Sequence, residues 1–125
     1  MPRILVIDDE PVLRTFIGEI LTSAGYEVIL AADGREGVER YRTSPADLVI
    51  TDLYMPIQDG FATIRELRWR FPTVAIIGMS GRTDTGTMLS IAQNVADVRV
   101  LRKPFLPGEL IAAVEKAFGE ISPAQ

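Results

Sequence analysis

The stretch ILVIDDEP, residues 4–11, sets four aliphatic side chains directly against the adjacent carboxylates Asp8 and Asp9, with Glu10 and Pro11 behind them. The aliphatic run reads as a buried strand. An unpaired carboxylate in such a low-dielectric setting costs several kcal/mol or shifts its pKa until it is neutral. A buried strand that ends in two acids therefore needs something to offset their charge.

Short aliphatic runs of the same kind recur, separated by helical stretches. Val12, Leu13, Phe16, Ile17, Ile20 and Leu21 follow the i, i+3, i+4 spacing of a helix that Gly25 stops, and EVILA (27–31) gives a second strand. GREGVERYR predicts a helix ending near Ser44 and Pro45, and DLVIT (47–51) a third strand. FATIRELRWRF predicts a helix up to Pro72, followed by a fourth strand, VAIIG (74–78). TDTGTMLSIAQN is a weak, threonine-rich helix, VRVL (98–101) a short fifth strand, and PGELIAAVEKAFGE an amphipathic closing helix. Helices between short aliphatic strands imply right-handed βαβ crossovers, and so an α/β domain with a doubly wound parallel sheet covered on both faces. One domain is expected over residues 1–119, with 120–125 as a short tail.

Composition narrows the function. The 125 residues include no cysteine and no histidine, which excludes disulfides, thiolate nucleophiles, imidazole acid/base catalysis and histidine-ligated zinc. A net charge of −4 argues against a direct nucleic-acid face, which needs a basic patch. No apolar run reaches the roughly 18 residues of a membrane span, and the start lacks a signal peptide's basic and apolar regions. No membrane association and a cytoplasmic location are the simplest expectations.

In doubly wound sheets the ligand site lies beyond the carboxyl ends of the strands. Asp8 and Asp9 follow the first strand, Asp52 the third, Ser80 and Gly81 the fourth, and Lys103 and Pro104 the fifth. The second strand runs into Ala31, Ala32, Asp33 and Gly34, which reads as a plain turn. Three carboxylates on one edge repel one another unless a cation is present. A hard divalent ion such as Mg²⁺ suits oxygen ligands and is commonly held by one or two carboxylates plus a phosphate. Lys103 and Ser80 are the groups wanted around a phosphoryl group, and aspartate itself can be phosphorylated. Asp52, single and central, is the best candidate acceptor.

These residues resemble the receiver domains of two-component response regulators, chemotaxis-regulator-like, over residues 3 to about 119. The motifs are LVIDDEP, ITDLYMPIQDG, MSG and LRKPF. The resemblance implies a flavodoxin-like five-stranded sheet of order 2-1-3-4-5 with five helices. It also implies that Asp52 accepts a phosphoryl group from a sensor histidine kinase or a histidine phosphotransfer protein. Asp8, Asp9, Asp52 and the backbone carbonyl of Tyr54 would hold Mg²⁺ or Mn²⁺, while Ser80 and Lys103 would contact the phosphoryl group. A cis Lys103–Pro104 bond and a turn made by Met55, Pro56, Asp59 and Gly60 are implied too. Catalysis would be limited to the domain's own phosphorylation and slow dephosphorylation, and phosphorylation would switch affinity for a downstream protein or output domain.

The chain departs from the family at Val100, where members usually carry Tyr or Phe, so the switch is expected to act through the loop 79–84 and the helix after it. Tyr54 and Arg82 occupy positions that tune phosphoryl lifetime in the family.

Plainer readings exist for each residue alone. Asp8 and Asp9 could be acids at a helix amino end, Asp52 a turn residue, Ser80 a loop hydroxyl and Lys103 a solvated lysine. Trp69 and Phe71 read as packing or surface residues, and Arg65, Arg68 and Arg70 as a solvated helix face. A haloacid-dehalogenase-like phosphatase would want Asp-x-Asp after the first strand, where this chain has Asp8-Asp9. A flavin carrier would want a phosphate-cradling loop there, and a constitutive scaffold is kept alive by Val100. Whether the domain stands alone or belongs to a longer protein, and whether it forms a homodimer through the face of its fourth and fifth helices and fifth strand, stay open.

Overall fold

The computed structural model describes residues 2–53, 60–81 and 98–121. Along the chain run β1 (Arg3–Ile7), α1 (Pro11–Ser23), β2 (Glu27–Ala31), α2 (Gly34–Thr43), β3 (Leu48–Asp52), α3 (Gly60–Arg70), β4 (Ala75–Ser80), β5 (Arg99–Arg102) and a C-terminal helix (Pro107–Ile121). The strands pair in parallel in the order β2-β1-β3-β4-β5. That is the doubly wound architecture expected. Four helices are seen among the described residues; the weak helix expected at 83–94 lies outside them, as do Tyr54, Met55, Pro56, Asp59 and residues 82–84 of the loop 79–84.

Why the opening strand is apolar without alternation follows from its position. Ile4 and Val6 join Ile17 and Leu21 of α1 and Leu110 and Val114 of the C-terminal helix in one core cluster. Leu5 and Ile7 point the other way, into a cluster with Val38 and Tyr41 of α2 and Ile64 and Leu67 of α3. A central parallel strand has no solvent face, so both sets of side chains must be apolar.

Helix ends follow local chemistry. Pro11 opens α1 at a position where its missing N–H is no loss, and Gly25, with φ of 98°, takes the left-handed conformation that ends it. At α2 the expected plain turn is something more. The Asp33 carboxylate accepts from the Glu36 N–H at 2.8 Å while Glu36 reaches back to the Ala32 N–H at 2.5 Å, a reciprocal cap of the Asp-x-x-Glu kind. Close packing shows at Gly37, where a Cβ would stand 2.3 Å from Ile7 Cδ1.

The strands end later than the apolar runs do. Asp52 pairs with Met79 and Ser80 with Arg102 in the ladder, so β3 reaches Asp52, β4 reaches Ser80 and β5 reaches Arg102. A neighbouring strand continues the hydrogen-bonded ladder whether or not the side chain is apolar. Consequently Asp52 and Ser80 are terminal strand residues rather than members of the loops beyond.

On the outside, Trp69 is 86% exposed, whereas Phe71 packs on Tyr41 with ring centroids 4.5 Å apart. The arginines of α3 are not uniformly solvated: Arg65 is exposed, Arg70 pairs with Glu66 at 3.2 Å, and Arg68, partly buried, donates to the Val74 carbonyl.

Candidate functional site

Asp8, the residue after β1, is fully buried and held from several directions. Its N–H donates to the Ala31 carbonyl of β2 at 3.1 Å, its Oδ1 accepts from the Glu10 N–H at 2.9 Å, and its Oδ2 lies 3.3 Å from Lys103 Nζ. Glu10, at the N-cap of α1, makes no side-chain capping bond, so Asp8 serves the helix amino end and faces the sheet edge at once. Burial raises its pKa above the ordinary 3.8, and the charge of Asp52 adds to this. The Glu10 N–H and Lys103 oppose the rise without cancelling it.

Asp52, at the end of β3, is buried, and its Oδ2 accepts from Lys103 Nζ at 2.8 Å. Asp9 is exposed at the rim. One carboxylate oxygen from each of Asp8, Asp9 and Asp52 lies within 4.8 Å of the others. Three carboxylate oxygens gathered this closely are a donor set of the hard kind that a divalent ion such as Mg²⁺ takes.

Lys103 follows β5 and is tied to β4 through its N–H, which donates to the Ser80 carbonyl at 2.7 Å; the Lys103–Pro104 peptide is cis, as the resemblance implies. Burial works against the charged ammonium, but the hydrogen bond to Asp52 and the charges of Asp8 and Asp52 outweigh it and leave the pKa raised. One cation thus bridges two buried acids. Ser80 is fully buried, and its Oγ has no hydrogen-bond partner among the described residues. A buried hydroxyl left in this way costs about 1–3 kcal/mol.

The structure therefore brings together Asp8, Asp9, Asp52 and Lys103, and places Ser80 at the end of the strand beside Asp52's own. The Tyr54 carbonyl lies outside the described residues. Sequence reasoning missed Arg14, whose guanidinium Nη1 donates to the Asp8 carbonyl at 2.8 Å. Its place one turn into the helix that follows the acids carries no mark of this, because the partner is a backbone carbonyl.

The chain matches the family model of the response regulator receiver domain over residues 4–115. It belongs to that family. Receiver domains are signalling domains of two-component systems and bind Mg²⁺ at an acidic pocket, with which the Asp8, Asp9 and Asp52 group agrees. This receiver domain is 33% identical over 115 residues to the chemotaxis protein CheY of Thermotoga maritima, covering 91% of this chain and 95% of that one. It is 36% identical over 116 residues to hybrid signal transduction histidine kinase D of Dictyostelium discoideum, covering 90% of this chain and 7% of the kinase. It spans half the length, or less, of several further curated relatives. A solved receiver domain protein from Clostridium thermocellum superposes with a TM-score of 0.87 at 31% identity, covering 96% of each chain. Among the described residues no helix is long and apolar enough to cross a membrane.

Proposed function

We propose that this receiver domain, one unit over residues 1–119, accepts a phosphoryl group on Asp52 from the phosphohistidine of a sensor histidine kinase or histidine phosphotransfer protein. The observation that carries this reading is the buried Ser80 hydroxyl with no partner among the described residues, on the edge where Lys103 holds Asp52. Such a hydroxyl has a hydrogen bond to give to an incoming anion.

In the transfer, an Asp52 carboxylate oxygen attacks phosphorus, the P–N bond of phosphohistidine breaks, and the imidazole leaves with its electron pair. Lys103 pairs with the phosphoryl oxygens and Ser80 donates to one of them. Asp8, Asp9, Asp52 and the Tyr54 carbonyl would hold Mg²⁺ or Mn²⁺. A bound divalent ion supplies the positive charge that lets an anionic donor approach three carboxylates. Later, water attacks the same phosphorus and returns the free carboxylate with inorganic phosphate.

Charge-assisted hydrogen bonds contribute about 1.5–3 kcal/mol each, so a new Ser80 contact supplies that much, while Lys103, already bonded to Asp52 and Asp8, adds only the difference on exchanging partners. Inverting a 1:99 equilibrium takes about 5.5 kcal/mol. These contacts therefore move part of the population toward a form with altered affinity for a downstream protein or output domain. Val100 pairs with Gly78 across β4 and β5 and is only partly buried. With no aromatic there to swing inward, the Ser80 end of β4 is the part of the sheet left to carry the switch.

The test is intact mass after incubation with Mg²⁺ and acetyl phosphate. Wild type gains one phosphoryl group, while Asp52→Asn and an EDTA-treated sample do not. Equal labelling of Asp52→Asn, or no labelling of wild type under conditions that label a known receiver, overturns the proposal.

A further inference from the structure

The peptide joining Asp8 to Asp9 is gripped by a side chain that is neither an acid nor a phosphoryl contact. Arg14 sits in α1, its N–H closing the first helical turn on the Glu10 carbonyl at 2.9 Å, and its partly buried Nη1 donates to the Asp8 carbonyl at 2.8 Å. That carbonyl belongs to the peptide unit from which both carboxylate-bearing residues hang. On its other side the Asp8 N–H is fixed to Ala31 of β2. Without Arg14, the Asp8–Asp9 peptide is anchored by the sheet at one end only, and Asp9, exposed at the rim, has the least to hold it.

We infer that Arg14 is a positioning residue that sets the divalent-cation affinity of the pocket by fixing the Asp8–Asp9 peptide. This rests on the reading of the acidic group as a Mg²⁺ site. Charge and position make opposite predictions here. A guanidinium beside the pocket repels an incoming cation, so charge alone makes Arg14→Ala bind Mg²⁺ more tightly. Loss of the clamp makes it bind more weakly, because each carboxylate must then be ordered by the ion itself.

The experiment measures Mg²⁺ affinity by titration calorimetry on wild type, Arg14→Ala and Arg14→Lys, with amide hydrogen exchange at Glu10 followed in EDTA. Groups that orient metal ligands typically change affinity 10–100-fold when lost, so Arg14→Ala is expected to bind about tenfold more weakly. Arg14→Lys, which keeps a donor, recovers most of the affinity. Glu10, whose N–H is bonded to Asp8 Oδ1, exchanges about tenfold faster in Arg14→Ala without any metal. Equal or tighter Mg²⁺ binding by Arg14→Ala overturns the inference, as does unchanged Glu10 exchange. If wild type binds no Mg²⁺ while Glu10 exchange still responds to Arg14, the Mg²⁺ reading of the pocket fails, and the affinity role with it, but the clamp on the peptide stands.

Discussion

Replacing Asp8 by Asn is expected to stabilise the metal-free protein while abolishing its response to Mg²⁺. At an effective dielectric of about 20, two carboxylates 4.8 Å apart repel by roughly 3.5 kcal/mol, and this is the least that Asp52 exerts on Asp8. Asp9 is exposed, so its repulsion is screened toward the roughly 1 kcal/mol that this separation gives in water. Lys103 at 3.3 Å returns about 5 kcal/mol of attraction. These charges nearly cancel, and the burial of Asp8 decides the sign against the ionised form. Asparagine removes the charge and keeps an oxygen for the Glu10 N–H. A gain of about 1–2 kcal/mol follows, or a rise in Tm of roughly 3–8 °C for a domain of this size.

The assay is thermal unfolding of both proteins in EDTA and in Mg²⁺, repeated across pH. Since Asp8 holds its proton more tightly folded than unfolded, the folded state carries more protons between pH 3.8 and the raised folded pKa. Metal-free wild type therefore gains stability from this group as pH falls through that window, and the advantage of Asp8→Asn shrinks with it. An Asp8→Asn protein less stable than wild type in EDTA at neutral pH, or one stabilised by Mg²⁺ as strongly as wild type, refutes the reasoning.

Ser80→Ala removes a buried hydroxyl that has no partner among the described residues, so unfolding in urea should show equal or greater stability, by up to about 1 kcal/mol. The same variant should take up phosphoryl groups from acetyl phosphate about tenfold more slowly, the loss of one hydrogen bond to the anion. Lys103→Met removes the cation that two buried acids share: with Lys103 itself partly solvated, stability in EDTA is expected to fall by about 2–3 kcal/mol, and Mg²⁺ should restore most of it. Gly37→Ala puts a methyl group 2.3 Å from Ile7 Cδ1, and calorimetry should show a loss of about 1–3 kcal/mol unless Ile7 changes rotamer.

Most of the architecture was legible because buried parallel strands write themselves as unbroken aliphatic runs. What the runs could not show was where each strand stops. Asp52 and Ser80 read as loop residues by polarity, yet the ladder to Met79 and Arg102 holds them in the sheet. The Asp33 and Glu36 cap passed for a turn because its signature is a spacing of polar residues, not an apolar pattern. Of the site, the acids and the lysine were readable from their places after the strands. Arg14 was not, because its role depends on a backbone carbonyl, and a carbonyl leaves no trace in the sequence.

The late strand ends bear on how the pocket works. An acceptor on a flexible loop would lose entropy each time it was positioned for in-line attack, whereas Asp52 is held by β4 on one side through the Leu53 N–H bond to the Met79 carbonyl at 3.0 Å. Ser80 is fixed in turn through its carbonyl, which accepts from Lys103, so the ends of β3, β4 and β5 form one hydrogen-bonded edge. Rigid placement has a consequence for the metal-free state: the buried carboxylates of Asp8 and Asp52 have little room to move apart and relieve their repulsion. Among the described residues Lys103 bridges these two, and its ammonium is the same group that a phosphoryl anion would recruit. Drawing Lys103 toward that anion loosens its hold on Asp8, and a cation among the three acids becomes more necessary as the phosphoryl group arrives. Binding of the divalent ion and of the anion is therefore expected to be positively coupled, each lowering the electrostatic cost of the other.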